Sequence, residues 1–394
     1  MGSRRATIGI FYQPNKNWIA GAYYVQNIVY ALGQYCSKKT MPQIIVFCHS
    51  KADYEEFKKN TNYPSLSCHL LIKKRSKIKR IIINIIRKKT GIKLDNGGEI
   101  SALTLKKIRF VYPLDDTDII SDKKKLLAWI PDFQERYYPE FFSAEDIKSR
   151  GDWHKRLIAD NIPIVFSSQD ARQDFYKFYP QAIRHKTFVL PFSVKHPDFS
   201  HENIDEIKRK YGITGDYLFC ANQFWIHKNH MLLFKSMKIL HDQGSKLQLI
   251  CSGALHDYRT DTYHKELSDF IENNDLSNTI KNIGFIPRTE QLCLMKNSYA
   301  VVQPSLFEGW STVVEDAKKL NKYIFLSNLS VHREQNPANA CFFDPKNEIE
   351  LAEKIQKTQI TEKETDYHDN VIQSGKSFWG IIDCFDPQQC SLPH

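Results

Sequence analysis

The sequence lacks the features that mark membrane-spanning proteins and secreted, disulfide-stabilised proteins. No stretch approaches the roughly 18 consecutive apolar residues that a transmembrane helix needs. The nine cysteines are scattered without paired short spacings, which disfavours a disulfide framework and a zinc site and favours a reducing compartment. Residues 1–5 lead directly into a predicted strand, so we expect no signal peptide. Together these absences predict a cytoplasmic protein.

The positive charge of the chain is concentrated in one segment. The net charge is +10, and residues 73–93 contain ten Lys or Arg residues and no acidic residue; five of the seven isoleucines there are at helical spacing. A cationic helix with an isoleucine face can lie on an anionic membrane surface, each basic residue adding about 1 kcal/mol of attraction. A core-facing helix with a solvated basic side is the alternative. We expect no nucleic-acid partner, because no recognition module or interleaved aromatic residues accompany this charge.

Strands and helices alternate along the chain in two series. With 394 residues and 42% hydrophobic content, the sequence is sufficient for two domains with real cores. In the first series we predict strands at 6–12, 43–48, 109–112, 126–130 and 164–167. In the second we predict strands at 217–221, 247–252, 280–287 (with its loop) and 299–302, and helices at 229–242, 263–273 and 289–297. Such alternation indicates mostly parallel sheets with helices on both faces.

The stretch 191–215 separates the two series. It contains two prolines and a charged segment, so we place the domain boundary there. We therefore predict an α/β protein with two Rossmann-like, doubly wound domains, 1–190 and 191–366, that face each other across a cleft. Ligands of such domains bind where the carboxyl ends of the strands meet.

The most informative motif is the stretch 304–317. A predicted strand is followed by a polar loop containing Gly309 and by a helix that begins near Thr312. A glycine and a helix N-terminus at a strand end favour a phosphate, because free N–H groups and the helix dipole both attract negative charge. Glu308 and the Glu315–Asp316 pair flank this site and would repel a bare anion, so hydroxyl groups are their natural partners. A ligand with both phosphates and hydroxyls is a sugar nucleotide.

This stretch resembles the donor-binding motif of glycosyltransferase family 4, retaining enzymes of the GT-B fold that are also called group 1 glycosyltransferases. In that motif two glutamates are separated by seven residues, and counting from Glu308 puts Asp316 in the second position. Glu315 is the alternative ribose ligand, or it forms a capping box with Thr312. Because adjacent helical residues lie about 100° apart, we expect only one of the two acids to face the ligand.

Two further segments resemble donor-binding elements of the family. After the strand at 217–221, family members carry an arginine and, five residues later, a lysine that neutralise a diphosphate; here Gln223 takes the arginine position and Lys228 keeps the lysine. Gly284, Phe285 and Ile286 resemble the segment that lies against the nucleotide base, although a plain strand-to-turn segment would look similar.

The N-terminal half contributes two candidate residues. Gly21 follows the first predicted strand, where a glycine lets the backbone approach a ligand, and a simple tight turn is the alternative. Asp132 ends the strand at 126–130, where family members often carry a His-Asp pair. We expect it to contact the acceptor or the transferred sugar, or else to cap a turn.

The resemblance implies a retaining glycosyltransferase that uses a nucleotide-diphosphate sugar. Glu308 would hold sugar hydroxyls, and the helix start formed by Gly309, Trp310, Ser311 and Thr312 would stabilise the leaving diphosphate. Residues 1–190 would bind the acceptor, residues 191–366 the donor, and the aromatic-rich segment 367–394 would form a helix that crosses back to the first domain.

The resemblance and the basic segment together imply the partners. The acceptor is expected to be a growing surface polysaccharide or glycolipid (of the O-antigen, capsule or lipopolysaccharide type), and the enzyme to be peripheral at the inner face of the membrane. We expect no metal or cofactor. Asp116 and Asp118 resemble the metal motif of the other major glycosyltransferase fold, but we interpret them as a solvated turn. The alternatives are a nucleotide-sugar epimerase and a non-catalytic scaffold that binds a glycan or a nucleotide.

Overall fold

The computed structural model describes residues 5–14, 19–71, 105–114, 122–255 and 262–385. Two parallel β-sheets, each flanked by helices, confirm the predicted α/β fold class. Two sequence predictions lie outside the described residues: the basic segment 73–93 and the turn containing Asp116 and Asp118. Within the described ranges, none of the helices combines the length and the apolar character needed to cross a bilayer.

The first sheet is built from seven parallel strands. These are β1 (Thr7–Phe11), β2 (Gln43–Cys48), β3 (Leu66–Leu70), β4 (Val111–Leu114), β5 (Leu126–Ile130), β6 (Ile164–Phe166) and β7 (Thr187–Val189). Their order across the sheet is β3-β2-β1-β4-β5-β6-β7. Strands β2 and β5 have the predicted bounds, because a parallel strand covered on both faces is a continuous apolar run. The edge strands β3 and β7 carry partly exposed side chains, and no apolar run predicts them.

Within the described ranges, five α-helices of the first domain pack against this sheet or over its strand ends. They are α1 (Ile19–Tyr35), α2 (Lys51–Thr61), α3 (Gln134–Tyr137), α4 (Ala144–Ala159) and α5 (Gln169–Phe178), and short 3-10 turns cover Lys123–Lys125, Pro139–Phe141 and Pro180–Ala182. Helices α2, α4 and α5 start at a serine whose hydroxyl accepts a hydrogen bond from the amide three residues later. These caps fix where the loops end and the helices begin.

The second sheet is built from six parallel strands in the order β10-β9-β8-β11-β12-β13. The elements in chain order are α6 (Ile204–Tyr211), β8 (Tyr217–Cys220), a 3-10 turn (Ile226–Lys228), α7 (His230–Asp242), β9 (Gln248–Cys251), α8 (Tyr263–Asn273), β10 (Ile280–Asn282), α9 (Arg288–Lys296), β11 (Ala300–Gln303), α10 (Thr312–Lys319), β12 (Ile324–Ser327), α11 (Ser330–Gln335), β13 (Ala340–Phe343) and α12 (Glu348–Lys357). Each face of this sheet packs against its own cluster of buried apolar side chains.

Both sheets reverse their strand order at one point. In the first sheet the reversal lies between β1 and β4, and in the second between β8 and β11. In doubly wound sheets, such a reversal leaves a crevice at the carboxyl ends of the strands, where ligands bind.

The last described helix, α13 (His368–Asp383), packs on α1 of the first domain. Phe378, Ile381 and Ile382 are part of the buried core of that domain. A Cβ atom at Gly375 would lie 2.2 Å from the carbonyl oxygen of Ala31, so only glycine permits this helix–helix distance. The chain thus returns to the first domain after completing the second.

Candidate functional site

Two adjoining cavities lie between the domains at the carboxyl ends of β8 and β11. The strand-end cavity, of about 360 Å³, is formed largely by the second domain. The cleft cavity, of about 600 Å³, is formed by both domains. The residues that line both are Ala20, Trp225, Lys228, Glu308, Trp310 and Thr312. The wall that the two cavities share is therefore formed mainly by the loops after β8 and β11.

Glu308 is the best-anchored carboxylate of this wall. Its Oε1 accepts hydrogen bonds from Lys228 Nζ (2.6 Å), Ser305 Oγ (2.7 Å) and Gln303 Nε2 (2.8 Å). No described residue donates to its Oε2, which is not sealed off from solvent. Burial alone would raise the pKa of this carboxyl, but the Lys228 ammonium and the hydrogen bonds outweigh burial and lower it. Glu308 is thus an ionised acceptor with one oxygen available.

Lys228 is held against Glu308 by the backbone that follows it. Asn229 adopts a left-handed conformation (φ 59°), and its side-chain amide donates to the carbonyl oxygens of Pro304 and Pro345. The amide of Leu306 donates to the carbonyl of His227 at 2.8 Å. These bonds tie the loop after β8 to the loop after β11, two strands that pair side by side. The hydrogen bonds between these two loops therefore fix the Lys228–Glu308 pair at the point where the strand order reverses.

Asp316 lines the strand-end cavity from the first turns of α10 and is 1% exposed. Its Oδ1 accepts hydrogen bonds from Arg288 and from His196 Nε2 (3.0 Å), and its buried Oδ2 has no partner among the described residues. Burial would raise the pKa of Asp316, but Arg288 and His196 outweigh it and lower it. Burial also lowers the pKa of His196, which leaves Arg288 as the cation of this group.

Sequence reasoning missed Arg288 and His196. Arg288 is the first residue of α9 and follows the predicted base-binding segment 284–286 closely in the sequence. A cationic residue in the first turn of a helix beside that segment is the signal that could have identified it. Its guanidinium also donates to Gln291 (2.6 Å) and lies 6.0 Å from the ring centre of Tyr23 in the first domain. Besides Lys228, Arg288 thus places a second cation in the strand-end cavity. Gln223 lies in the same cavity, at the position where the resembled family motif has an arginine.

Glu315 lies outside both the strand-end cavity and the cleft cavity. Its Oε1 accepts from Gln335 Nε2 (2.9 Å) and Lys318 Nζ (3.1 Å), and its Oε2 accepts from the hydroxyl of Tyr367 (2.6 Å). The predicted capping box is wrong: Ser311, not Thr312, is the N-cap, and it makes no side-chain cap bond. The reason is that Glu315 turns towards Gln335 and Tyr367, where it joins α10 to the segment before α13.

The first domain approaches the shared wall closely at Gly309. A Cβ atom there would lie 2.6 Å from the carbonyl oxygen of Pro131 and 3.0 Å from Oδ2 of Asp132. Asp132 lines the cleft cavity, and its Oδ1 accepts from the amide of Gln134 (3.1 Å), so it also caps a turn. Burial raises the pKa of Asp132, and the nearby Glu308 raises it further.

The remaining predicted residues are distributed around these cavities. The strand-end cavity is lined by Gln223, Phe285, Ile286, Trp310, Ser311 and Thr312, and Phe285 is 68% exposed. At the helix start, the amide of Ser311 already donates to Gln335 Oε1, and Trp310 Nε1 donates to the carbonyl of Phe192. Gly284 has a positive φ of 71° and supports the loop, and Gly21 lines a separate cavity of the first domain.

Comparisons with known proteins agree with this architecture. Residues 203–377 match the model of the family described as Glycosyl transferases group 1. HepE of Anabaena, in complex with UDP and glucose, is similar over 99% of this chain and 100% of its own, with 15% identity and a TM-score of 0.60. A glycosyltransferase from Rickettsia africae ESF-5 is similar over 97% and 93%, with 14% identity and a TM-score of 0.60.

A third similar structure is WaaG, a glycosyltransferase involved in lipopolysaccharide biosynthesis. The similarity covers 96% of both chains, with 12% identity and a TM-score of 0.54. No curated protein sequence matches this chain. The chain thus has the GT-B fold of these glycosyltransferases, and its residues 203–377 carry the sequence pattern of the group 1 glycosyl transferases.

Proposed function

We propose that this protein is a retaining glycosyltransferase of family 4 that transfers a sugar from a nucleotide-diphosphate sugar to a carbohydrate acceptor. The observation that carries the proposal is the Lys228–Glu308 pair in the wall that the two cavities share. The ammonium can balance a phosphate, and the available carboxylate oxygen can accept hydrogen bonds from sugar hydroxyls. One pair of side chains thus contacts both halves of a sugar nucleotide. The family match and the UDP and glucose complex of HepE support this assignment.

The donor occupies the strand-end cavity in this proposal. Phe285, which is exposed, offers a stacking surface for the base, and Asp316, which lines this cavity, accepts from a ribose hydroxyl. Lys228 and Arg288 lie on the same cavity and face the diphosphate. Arg288 supplies charge that Gln223 cannot, so two protein cations remain available for two phosphates.

The reaction needs no protein nucleophile. The bond between the anomeric carbon and the phosphate oxygen breaks while the acceptor oxygen attacks from the same face, and the acceptor proton passes to the departing phosphate. Lys228 and Arg288 stabilise the charge that develops on the diphosphate, and Glu308 stabilises the electron-poor sugar. The positive charge on this path comes from side chains, so we expect turnover without added Mg²⁺ or Mn²⁺. Closure of the cleft excludes water and limits hydrolysis of the donor.

Substitutions of the two adjacent acids of α10 are expected to have different effects, one on donor binding and the other on stability. Asp316→Asn should raise the donor KM by about tenfold or more, because a charged acceptor on the cavity is lost. Glu315→Gln should leave the donor KM unchanged and lower the free energy of unfolding by about 1–3 kcal/mol, because its partner Tyr367 is buried and its partner Lys318 is partly buried. Donor saturation kinetics and denaturant unfolding measure the two effects. The opposite pattern would assign ribose binding to Glu315.

Donor hydrolysis by the purified protein tests the proposed function. UDP-, GDP- and other nucleotide sugars are incubated one at a time, and released nucleotide and sugar are measured. We expect one donor to be hydrolysed slowly, and Glu308→Gln to abolish this. Conversion of the donor to another nucleotide sugar would indicate an epimerase instead. If calorimetry detects no binding of any nucleotide or nucleotide sugar, the proposal is wrong and a scaffold role replaces it.

We propose further that the acceptor is a growing surface polysaccharide or glycolipid at the cytoplasmic face of a membrane. Trp153 and Arg150 line both the cleft cavity and a cavity of about 720 Å³ in the first domain. An indole ring packs against the C–H face of a sugar, and a guanidinium binds hydroxyl or anionic groups of a glycan. The basic segment 73–93 of the sequence adds attraction to anionic lipids.

Flotation with vesicles tests the membrane contact. The protein should float with vesicles of phosphatidylglycerol and phosphatidylethanolamine at low salt, and replacement of Arg80, Arg87 and Lys88 by Glu should abolish flotation. A matched variant replaces three lysines on the second domain that do not belong to this segment, namely Lys238, Lys246 and Lys357. Equal flotation of the two variants, or no flotation of the unmodified protein, would remove the membrane contact from the proposal.

A further inference from the structure

Three potential metal ligands converge inside the second domain, away from the proposed reaction. Cys220 and Cys251 are the last residues of β8 and β9 and lie opposite each other in the register of these paired strands. His230, the first residue of α7, covers the same face of the sheet. The two sulfurs and the nearest ring nitrogen lie within 4.8 Å of one another, and all three residues are buried. Among the described residues, this is the one such cluster of three.

The buried imidazole of His230 lacks hydrogen-bond partners inside this cluster. The residue is 0% exposed, and neither ring nitrogen makes a hydrogen bond within the described structure. Its ring stacks on Phe224 at 4.2 Å with an angle of 11°, which fixes its plane. A buried imidazole without partners is unfavourable, because it loses its hydration and gains nothing in exchange. A ligand between the ring and the two sulfurs would satisfy it.

We propose that Cys220, Cys251 and His230 bind one zinc ion. Two thiolates and one neutral imidazole form a set of sulfur and nitrogen ligands that zinc prefers. Binding transfers the two thiol protons to solvent, and the resulting centre of one divalent cation and two thiolates is electrically neutral. Neutrality suits a fully buried site, whereas a monovalent copper ion would leave a net negative charge there.

The distances permit this with small adjustments. Zinc–sulfur bonds of about 2.3 Å and zinc–nitrogen bonds of about 2.0 Å place tetrahedral ligand atoms roughly 3.5–3.8 Å apart. Ligand atoms that lie within 4.8 Å of one another therefore need to approach by about 1.3 Å at most, which side-chain rotation can supply. A divalent cation stabilises both thiolates, so the two thiol protons are lost as the metal binds.

The cluster is connected to the shared wall by two amide side chains. Asn222 Nδ2 lies 3.4 Å from Cys220 Sγ and donates to Gln303 Oε1 at 2.8 Å. Gln303 Nε2 in turn donates to Glu308 Oε1 at 2.8 Å. Outer hydrogen-bond partners commonly orient metal ligands, and here the outer partner also orients a residue of the proposed donor site. A bound zinc would thus stabilise the position of Glu308 without contacting a substrate.

Metal analysis of the full chain tests the proposal. The protein is purified after growth with zinc, dialysed, and assayed for zinc by mass spectrometry; we expect about one zinc ion per chain. Replacement of zinc by Co²⁺ should give a thiolate-to-cobalt charge-transfer band. Cys220→Ser and Cys251→Ser should lose the zinc and the band, whereas Cys293→Ser, a buried cysteine on the other face of the same sheet, should retain both.

Thermal unfolding of the unmodified protein keeps the test independent of whether the variants fold. Stripping with a chelator should lower Tm, and one equivalent of zinc should restore it, because a ligand that binds the folded state stabilises it. A Tm that does not respond to zinc, together with no charge-transfer band, would overturn the proposal. So would equal loss of zinc in Cys293→Ser, since the metal would then be adventitious.

Discussion

Glu308→Gln is expected to lower kcat for sugar transfer by about a hundredfold to a thousandfold, the usual cost of removing one preorganised charge from a transition state. Glutamine has nearly the same size and can still accept from Ser305 and Gln303, so the loop should keep its position. What disappears is the negative charge next to the electron-poor sugar. The rate of transfer at saturating donor, followed as released nucleotide, measures the effect.

A second carboxylate of the same domain serves as the control for this variant. Glu353 lies on α12, is more than half exposed and pairs with Lys357 on the surface, far from both cavities. Glu353→Gln should therefore retain normal turnover and stability. Turnover of Glu308→Gln within a few-fold of the unmodified protein would contradict the proposed role of Glu308 and leave Asp132 as the remaining carboxylate of the cleft.

The sequence predicts the strands of this fold well where burial is complete and poorly where it is not. Strands β2 and β5 lie inside the first sheet, and all their positions except Gln43 are apolar, so their bounds can be predicted. Strand β3 lies at the sheet edge, its sequence is Leu-Ser-Cys-His-Leu, and its side chains are partly or fully exposed. Its pairing with β2 is a long-range interaction that no local pattern contains.

The candidate site shows the same division between local and long-range information. Glu308 and Lys228 can be found because each lies at a strand end beside a turn residue. Arg288 and His196 reach Asp316 from 28 and 120 residues away, so only the fold brings them together. The predicted capping box of Thr312 and Glu315 is wrong for the same reason, because the distant residues Gln335 and Tyr367 donate hydrogen bonds to Glu315.

The metal cluster is a further case of long-range information. Its ligands match no zinc spacing, and the sequence argued against a zinc site. Cys220 and Cys251 become neighbours through the register of β8 and β9, and His230 joins them because α7 starts above that pair. A search by spacing detects sites built within one loop or hairpin. It does not detect sites built across parallel strands, whose connections are long.

Lys228→Met is the second change for which we expect a large effect. Without the ammonium, the departing diphosphate loses one of its two cations, and kcat/KM should fall by roughly a hundredfold. The same change should alter the pH dependence. Lys228 lowers the pKa of Glu308, so its removal lets burial raise that pKa, and the acidic limb of the kcat/KM profile should move to higher pH. Initial rates across pH 4–9 measure both effects in one experiment.

Two matched variants separate charge from shape in this result. Lys228→Arg keeps the positive charge beside Glu308, so its acidic limb should stay near that of the unmodified protein even if a changed fit lowers the rate. Lys238→Met removes an exposed lysine that pairs with Asp242 on α7 and should change neither quantity. If Lys228→Met loses activity while its acidic limb stays in place, Lys228 serves the phosphate alone and Glu308 is held ionised by its other partners. If the limb moves in Lys228→Met and not in Lys228→Arg, the ion pair itself keeps the carboxylate charged, and the two residues act as one unit.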